Sequence, residues 1–337
     1  MNLPDTALVF DLIQAFRRSK TMFAAVSMGI IDRLHDAPAT ALGVASAIQA
    51  NSAATEQLLD ACAALGFLGK QNGVYSNTEA AEAYLYSGSP YSLCGYIRYS
   101  NLAMYSLWAH LEDAVREGTH RWTQTFGWDG PVFDHFFHTP EMMREFMMAM
   151  HGYGTLASPK VVAAFDLSRF RRLVDLGGAT GHLTVAACEH YSEMRGVVFD
   201  LAGPISLARE FVAQSSAADR IETAVGDFFE DELPPADLYA LGRILHDWSE
   251  KKIERLLRRL HERLPSGGGV LVAEKLLNED GVGPIEANMQ SLSMLVLCEG
   301  RERSISGYAR LFEAAGFTQV EGRRTGAYLD ALLAIKP

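Results

Sequence analysis

"RLVDLGGATGHL", Arg172 to Leu183, is a short apolar run that ends in a Gly-rich turn and passes into a stretch able to start a helix. The run has the length and composition of a strand buried on both faces. The glycines after it let backbone approach a ligand closely, and they aim the N–H groups that open the next helix at anionic groups. Nicotinamide and flavin enzymes also use such a turn, so its neighbours have to decide what it holds.

Reading outward, further strands are expected at "GVVFD" (196–200), "ETAVGD" (222–227), "ADLYALGRIL" (236–245) and "GGVLVAE" (268–274), after the first at 172–177. Helical patterns lie between them, as in "SEKKIERLLRRLHERL" from Ser249 to Leu264, where Ile and Leu recur at helical spacing over a basic outer face. This alternation predicts an α/β fold with a doubly wound parallel sheet. The end of the chain, "GFTQVEGRRTGAYLDALLAIK" (316–336), holds two strand-like runs joined by a Gly-containing turn. A terminal antiparallel hairpin on a parallel sheet is more specific than the alternation alone.

Asp200 closes the second strand, where a carboxylate can accept both ribose hydroxyls of a nucleoside. After the third strand comes Gly226-Asp227-Phe228, an acid and an aromatic ring side by side, suited to an adenine amino group and face. The second Gly pair of a dinucleotide fingerprint and the Gly-Lys-Ser/Thr of a phosphate-binding P-loop are both missing. S-adenosylmethionine is the nucleoside that fits.

"LGRILHDWSE" (241–250) then places His246 and Asp247 at the end of the fourth strand, on the ligand-binding edge of the sheet. Glu274 ends the next strand and is expected beside the histidine, where a carboxylate would fix the imidazole tautomer and support a general base. Methyl transfer from a sulfonium is an in-line displacement that needs no metal. A phenol with a pKa of about 10 loses its proton to a base near 6.5 only as the methyl moves across, or in a site that lowers the phenol's pKa. "VFDHFFHTPEMMREFMMAMHGYG" (132–154) is rich in Met and Phe. Such stripes make helix–helix core; they can equally wall an apolar pocket for a flat ligand.

The N-terminal region gives short helices and a hairpin: "ALGVASAIQAN" (41–51), "SAATEQLLDACAALGFL" (52–68) and "GKQNGVYSNT" (69–78), with a turn at Asn72-Gly73. That is the order of a winged helix. A DNA reader needs cations on its second helix, whereas residues 53–68 carry Glu56 and Asp60 and no Lys or Arg, so an interaction or dimerisation role is expected. The formal charge of −11 also argues against nucleic acid as a partner. Cys62, Cys94, Cys188 and Cys298 lie far apart without metal-ligand spacing, which points to reduced thiols in a cytoplasmic protein. "TMFAAVSMGII" (21–31) is too short to span a bilayer and is expected as a buried helix, and the acidic "MNLPD" start is unlike a signal peptide. Neither a metal nor a membrane is expected as a partner.

These motifs together resemble the plant-type S-adenosylmethionine-dependent O-methyltransferase family, and within it the acetylserotonin O-methyltransferase branch. The resemblance runs over essentially the whole chain. It is carried by "FDLSRF", "VDLGGATG", "VFDL", "GDFFEDELPPADLYALGRILHDW", "SGGGVLVAEKLLNED", "SLSMLVLCEGRERS" and "TGAYLDALLAIK". It implies a seven-stranded, mostly parallel Rossmann-like methyltransferase sheet over 166–337, linker and pocket helices over 96–165, and a winged-helix-like dimerisation domain over 1–95 that builds a homodimer.

Carried over by position, the resemblance implies that Gly177, Asp200, Leu201, Asp227, Phe228 and Arg243 bind S-adenosylmethionine. It implies His246 as base, assisted by Glu274 and Glu302. The acceptor is expected near Asp247, Phe133, Met143, Phe146, Met147, Ser293, Met294 and Leu297. Three positions depart from the pattern. Ala179 replaces a usual third glycine, Ser293 stands where the acetylserotonin branch has asparagine, and Leu297 where it has glutamine. Without those amides the expected acceptor is a more apolar aromatic phenol. Two other readings keep part of this picture: a methyltransferase fold performing chemistry other than methyl transfer, and a non-catalytic dimeric interaction module. Retention of His246, Glu274 and Glu302 favours methyl transfer.

Overall fold

A computed structural model describes residues 4–337; the first three residues of the "MNLPD" start lie outside the described residues. The chain divides into two compact units, one ending at Tyr105 and the other beginning at Ser106.

In the first unit the helix Ala7–Ser27 ends where Gly29 takes a φ of 70°, and a second helix, Ile30–Asp36, starts at once. The stretch 21–31 is therefore two helix ends around a turn rather than one buried helix. Strand β1 (Ala39–Thr40) leads into helices Ala41–Ala47 and Ser52–Ala64, whose N-termini are capped by the side chains of Thr40 and Asn51. Strands β2 (Leu68–Gln71) and β3 (Val74–Asn77) form the hairpin, with Asn72 and Gly73 both at positive φ as a type I′ turn needs. The three strands run in the order β1-β3-β2, a winged-helix arrangement over a core of Ile30, Ile31, Leu34, Val44, Leu59 and Tyr75.

The second unit holds β4 (Arg172–Leu176), β5 (Arg195–Asp200), β6 (Ile221–Val225), β7 (Leu238–Gly242), β8 (Gly269–Glu274), β9 (Thr318–Arg323) and β10 (Asp330–Ile335) in one seven-stranded sheet, order β6-β5-β4-β7-β8-β10-β9. β4 to β8 are parallel, and β10 wedges antiparallel between β8 and β9. The order reverses between β4 and β7, so the crevice for a ligand opens above their carboxyl ends. Apolar layers cover both faces. One uses Val161 and Val162 of the helix Pro140–Val162; the other uses Ile253, Leu256, Leu257 and Leu260 of the helix Glu250–Arg263.

The fourth strand is shorter than the apolar run 236–245 predicts. It stops at Gly242, Arg243 takes a φ of 59°, and Leu245–Asp247 forms a single 3₁₀ turn. Ile244 and Leu245 are apolar because they pack into the core, not because they continue the strand. At the other end Asp237 accepts the backbone N–H groups of Arg171 and Arg172 at 2.7 and 2.8 Å and so marks the entry to the sheet. The segment 96–165 is helical but in pieces: within the second unit the short helices Leu111–Glu117, Trp122–Phe126 and Val132–Phe136 precede the long one. Among the described residues no helix is long and apolar enough to cross a membrane, and all four cysteines are free and buried.

Candidate active site

The turn after β4 is built for close approach. Gly177 has a φ of 66°, and a Cβ there would lie 2.4 Å from Ile244 Cδ1, so only glycine leaves this corner open. Ala179 also sits in the left-handed region, at φ 53°, a conformation that costs a side-chain-bearing residue about 1–2 kcal/mol. Its N–H donates to Asp200 Oδ2 at 2.9 Å, and the Leu201 N–H donates to Oδ1 at 2.7 Å. Asp200 is thereby fixed across the loop, and burial lifts its pKa to about 6. Asp175, beneath the loop, accepts the Thr184 hydroxyl at 3.0 Å, with its pKa pushed by burial to about 7. His151 Nδ1, 2.9 Å from Thr180 Oγ1, ties the loop to the helix Pro140–Val162.

Past β6, Asp227 accepts the Phe229 N–H at 2.7 Å, while its own N–H donates to Asp231 Oδ2 at 2.8 Å. Phe228 and Phe229 stand 4.8 Å apart, tilted. On the far side of the crevice the strained Arg243 gives its N–H to Ala273 O at 3.0 Å, and its guanidinium lies 4.9 Å from the centre of the Tyr153 ring. Non-glycine residues in sparsely populated backbone regions concentrate at binding sites, and Ala179 and Arg243 are two around one crevice.

These groups face a cavity of about 640 Å³. All six residues expected at the cofactor, Gly177, Asp200, Leu201, Asp227, Phe228 and Arg243, line it, as do Asp247, Phe133, Phe146 and Met147 from the acceptor set. A corner without a Cβ, carboxylates at two strand ends, an aromatic ring beside one of them and a cation opposite make a donor set that fits S-adenosylmethionine.

Four of the expected acceptor residues are not brought to this wall. Met143 packs its sulfur over Gly203. Ser293 donates its hydroxyl to Met289 O at 3.1 Å, a bond back along its own helix. Met294 and Leu297 are buried, and the Leu297 carbonyl accepts the Trp122 indole N–H at 2.8 Å. Conversely, sequence reading missed His120, Met150, His182, Trp248 and Lys252, which do line the cavity. Trp248 had a signal in its place directly after the His246-Asp247 pair, Met150 in the Met-rich stretch 132–154 and His182 in its place directly after the Gly-rich turn; His120 and Lys252 had none.

His246 stands just behind the wall, 2% exposed. Its Nδ1 is 2.6 Å from Glu302 Oε1 and its Nε2 is 3.6 Å from Asp247 Oδ1. The expected partner for the ring was Glu274, which instead holds the backbone. Glu274 Oε1 accepts the N–H groups of Ile244 and His246 at 3.2 and 3.1 Å, and Oε2 accepts the Tyr308 hydroxyl. β8 places Glu274 under the 3₁₀ turn, whereas Glu302 reaches the ring from the loop after the helix Ile285–Leu297. Burial pushes His246 below its ordinary value, Glu302 up to about 8 and Asp247 up to about 6. The donor atoms of His246, Glu274 and Glu302 lie within 4.8 Å of one another, close enough for a metal ion. Among the described residues, the contacts just given occupy both Glu274 oxygens, His246 Nδ1 and Glu302 Oε1, and leave His246 Nε2 and Glu302 Oε2 without a close hydrogen bond.

Comparison with known proteins agrees with this geometry. Residues 108–318 match the O-methyltransferase domain and residues 10–87 the O-methyltransferase dimerisation domain. The chain is 42% identical over 336 residues to the human "Probable bifunctional dTTP/UTP pyrophosphatase/methyltransferase protein", covering 99% of this chain and 54% of that protein. It is 39% identical to bovine acetylserotonin O-methyltransferase, over 98% of this chain and 97% of the relative. The crystal structure of human N-acetylserotonin methyltransferase in complex with SAM superposes with a TM-score of 0.94 at 37% identity, covering 100% of this chain and 99% of that one. A Rossmann-like sheet with its antiparallel hairpin, an N-terminal dimerisation domain and full-length relatives at this identity make one assignment: the chain belongs to the S-adenosylmethionine-dependent O-methyltransferase family.

Proposed function

We propose that the chain methylates a hydroxyl on a small aromatic acceptor, a phenol or hydroxyindole-like compound, with His246 as general base. The observation that carries this reading is the buried His246–Glu302 contact of 2.6 Å directly behind Asp247, at the cavity's edge. Bound S-adenosylmethionine supplies an electrophilic methyl group on a sulfonium. Gly177, Asp200, Leu201, Asp227, Phe228 and Arg243 are the residues proposed to hold it.

The Nε2 of His246 and Oδ1 of Asp247, 3.6 Å apart, are too distant to bond each other well but span the base of a triangle. A hydroxyl oxygen at its apex can lie about 2.8 Å from Nε2, within hydrogen-bond reach of the base. Nε2 accepts the hydroxyl's single proton, which must leave as the methyl group moves because a phenol holds it until a pKa of about 10, and the Asp247 carboxylate beside Nε2 favours the imidazolium that forms. Glu302 steadies the imidazolium so formed, and Glu274 holds the turn that carries it. Fixing the hydroxyl in line is the larger part of the rate gain available to such a site.

Residues 96–165 are proposed to shape the acceptor end, through Phe133, Phe146 and Met147. Phe133 lies 5.3 Å from Trp248, a pair that suits the face of a flat ring. Ser293 and Leu297 offer this end no amide, which supports an acceptor more apolar than N-acetylserotonin. A homodimer fits the matched dimerisation domain and the exposed apolar face of Leu8, Phe10, Leu12, Ile13 and Phe16, each between 53% and 70% exposed. Four free buried cysteines fit a reducing, cytoplasmic setting.

The test is a competition among hydroxyaromatics, with products identified by mass and S-adenosylhomocysteine counted. Apolar phenols or unsubstituted hydroxyindoles should exceed N-acetylserotonin in kcat/KM. A preference for N-acetylserotonin would refute the apolar-acceptor part of the reading.

A further inference from the structure

We propose that His182 is a cofactor-binding residue that donates a hydrogen bond from Nε2 to the α-carboxylate of S-adenosylmethionine. The inference rests on the cofactor site proposed above and adds to it a residue that neither the motifs nor the family resemblance assigned.

His182 opens the helix His182–His190 immediately after the Gly-rich turn and is one of the residues lining the cavity. The ring is seated in a notch of the helix Pro140–Val162. A Cβ at Gly154 would come within 2.3 Å of its Cε1 and Nε2 and 2.4 Å of its Nδ1, so that edge of the imidazole lies directly against the glycine. One turn further along the same helix, Ser158 Oγ is 2.9 Å from Nδ1. Nδ1 therefore points toward Ser158, which turns Nε2, on the other side of Cε1, away from that hydroxyl. Among the described residues no protein group pairs with Nε2.

Glycine inside a long helix weakens it. At Gly154 that weakness has a use, because any larger residue would expel the imidazole. Burial, with His151 and Arg243 nearby, keeps the ring neutral, its pKa down to about 3. When the Ser158 hydroxyl donates to Nδ1, the one remaining ring proton is on Nε2, a fixed donor on a residue that lines the cavity.

The polarity of the crevice says which part of the cofactor this donor meets. Asp200 stands at the carboxyl end of β5, a wall that accepts hydroxyls and repels a carboxylate. Arg243, close enough to depress the His182 pKa, supplies the cation of the opposite wall. The anionic end of the cofactor belongs with Arg243, and His182 adds to that cation a neutral N–H of defined direction.

Calorimetric titration of the full-length chain tests this with two probes: S-adenosylmethionine and its decarboxylated analogue, which differ only in the carboxylate. A hydrogen bond to a charged group predicts that His182→Ala weakens S-adenosylmethionine binding by about tenfold or more. Binding of the decarboxylated analogue should change by less than about twofold, since the lost bond is absent there. His182→Gln, which keeps an N–H donor, should recover much of the loss. Ser158→Ala leaves the ring seated but frees its tautomer, and should weaken S-adenosylmethionine selectively; it carries the test if His182→Ala does not fold. Equal losses for both probes would mean the ring only packs, and unchanged affinities would mean it touches nothing; either overturns the proposal. Wild-type protein binding neither probe would overturn the cofactor site itself.

Discussion

At the scale of single residues the chemistry turns on where one proton resides. Burial raises Glu302 to about 8 and lowers His246, so near neutral pH the pair holds one proton more than a general base can carry. The working form has Nδ1–H directed at an ionised Glu302 and a bare Nε2. Raising the pH removes the excess proton, so kcat should climb through about pH 8 to a plateau, measured with an acceptor that ionises near 10. Glu302→Gln cannot hold that proton. Its profile should lose the limb near pH 8 and start its rise at lower pH, with a reduced plateau; an unchanged limb would remove Glu302 from the account. How legible these residues were followed from their positions. Gly177, Asp200 and Asp227 each sit at a strand end, where a local motif suffices. The His246–Glu302 contact joins a turn to a distant loop, and only family resemblance placed Glu302 there. The seat of His182 was hidden because its counterpart, Gly154, looks like a weak point in a helix until the ring seated against it is known.

At the scale of elements, the parallel strands were readable because burial on both faces leaves an unbroken apolar run. The same logic overextended the fourth strand, since Ile244 and Leu245 are apolar for core packing while Arg243 turns the backbone. That turn is what brings His246 under the cavity edge. The helix Pro140–Val162 has two tasks that its composition did not separate: Phe146 and Met147 face the cavity, whereas Ala157, Val161 and Val162 are core. The helix Ala7–Ser27 is a third case. Its first three turns expose Leu8, Leu12 and Phe16, a stripe that water does not favour and a second chain could cover. Light scattering on the wild type should give a dimer mass, and Leu12→Asp with Phe16→Asp should shift it toward monomer. A monomeric wild type would contradict the dimer.

At the scale of the molecule, one unit offers an apolar face and the other holds the crevice. The residues that the sequence suggested for the cofactor all line the cavity, because loops at strand ends are local. Only half of the expected acceptor residues reach it, Asp247, Phe133, Phe146 and Met147, because that wall draws on His120, the short helices after it, the helix Pro140–Val162 and Trp248, which no single spacing links. The central claim is that His246 removes the acceptor's proton during methyl transfer. Single-turnover methylation of the best acceptor by wild type and His246→Ala, with S-adenosylmethionine affinity measured on the same samples, tests it most directly. The account predicts a rate lower by about 10²–10⁴ in the variant with cofactor affinity preserved. A variant that transfers methyl at the wild-type rate would contradict it.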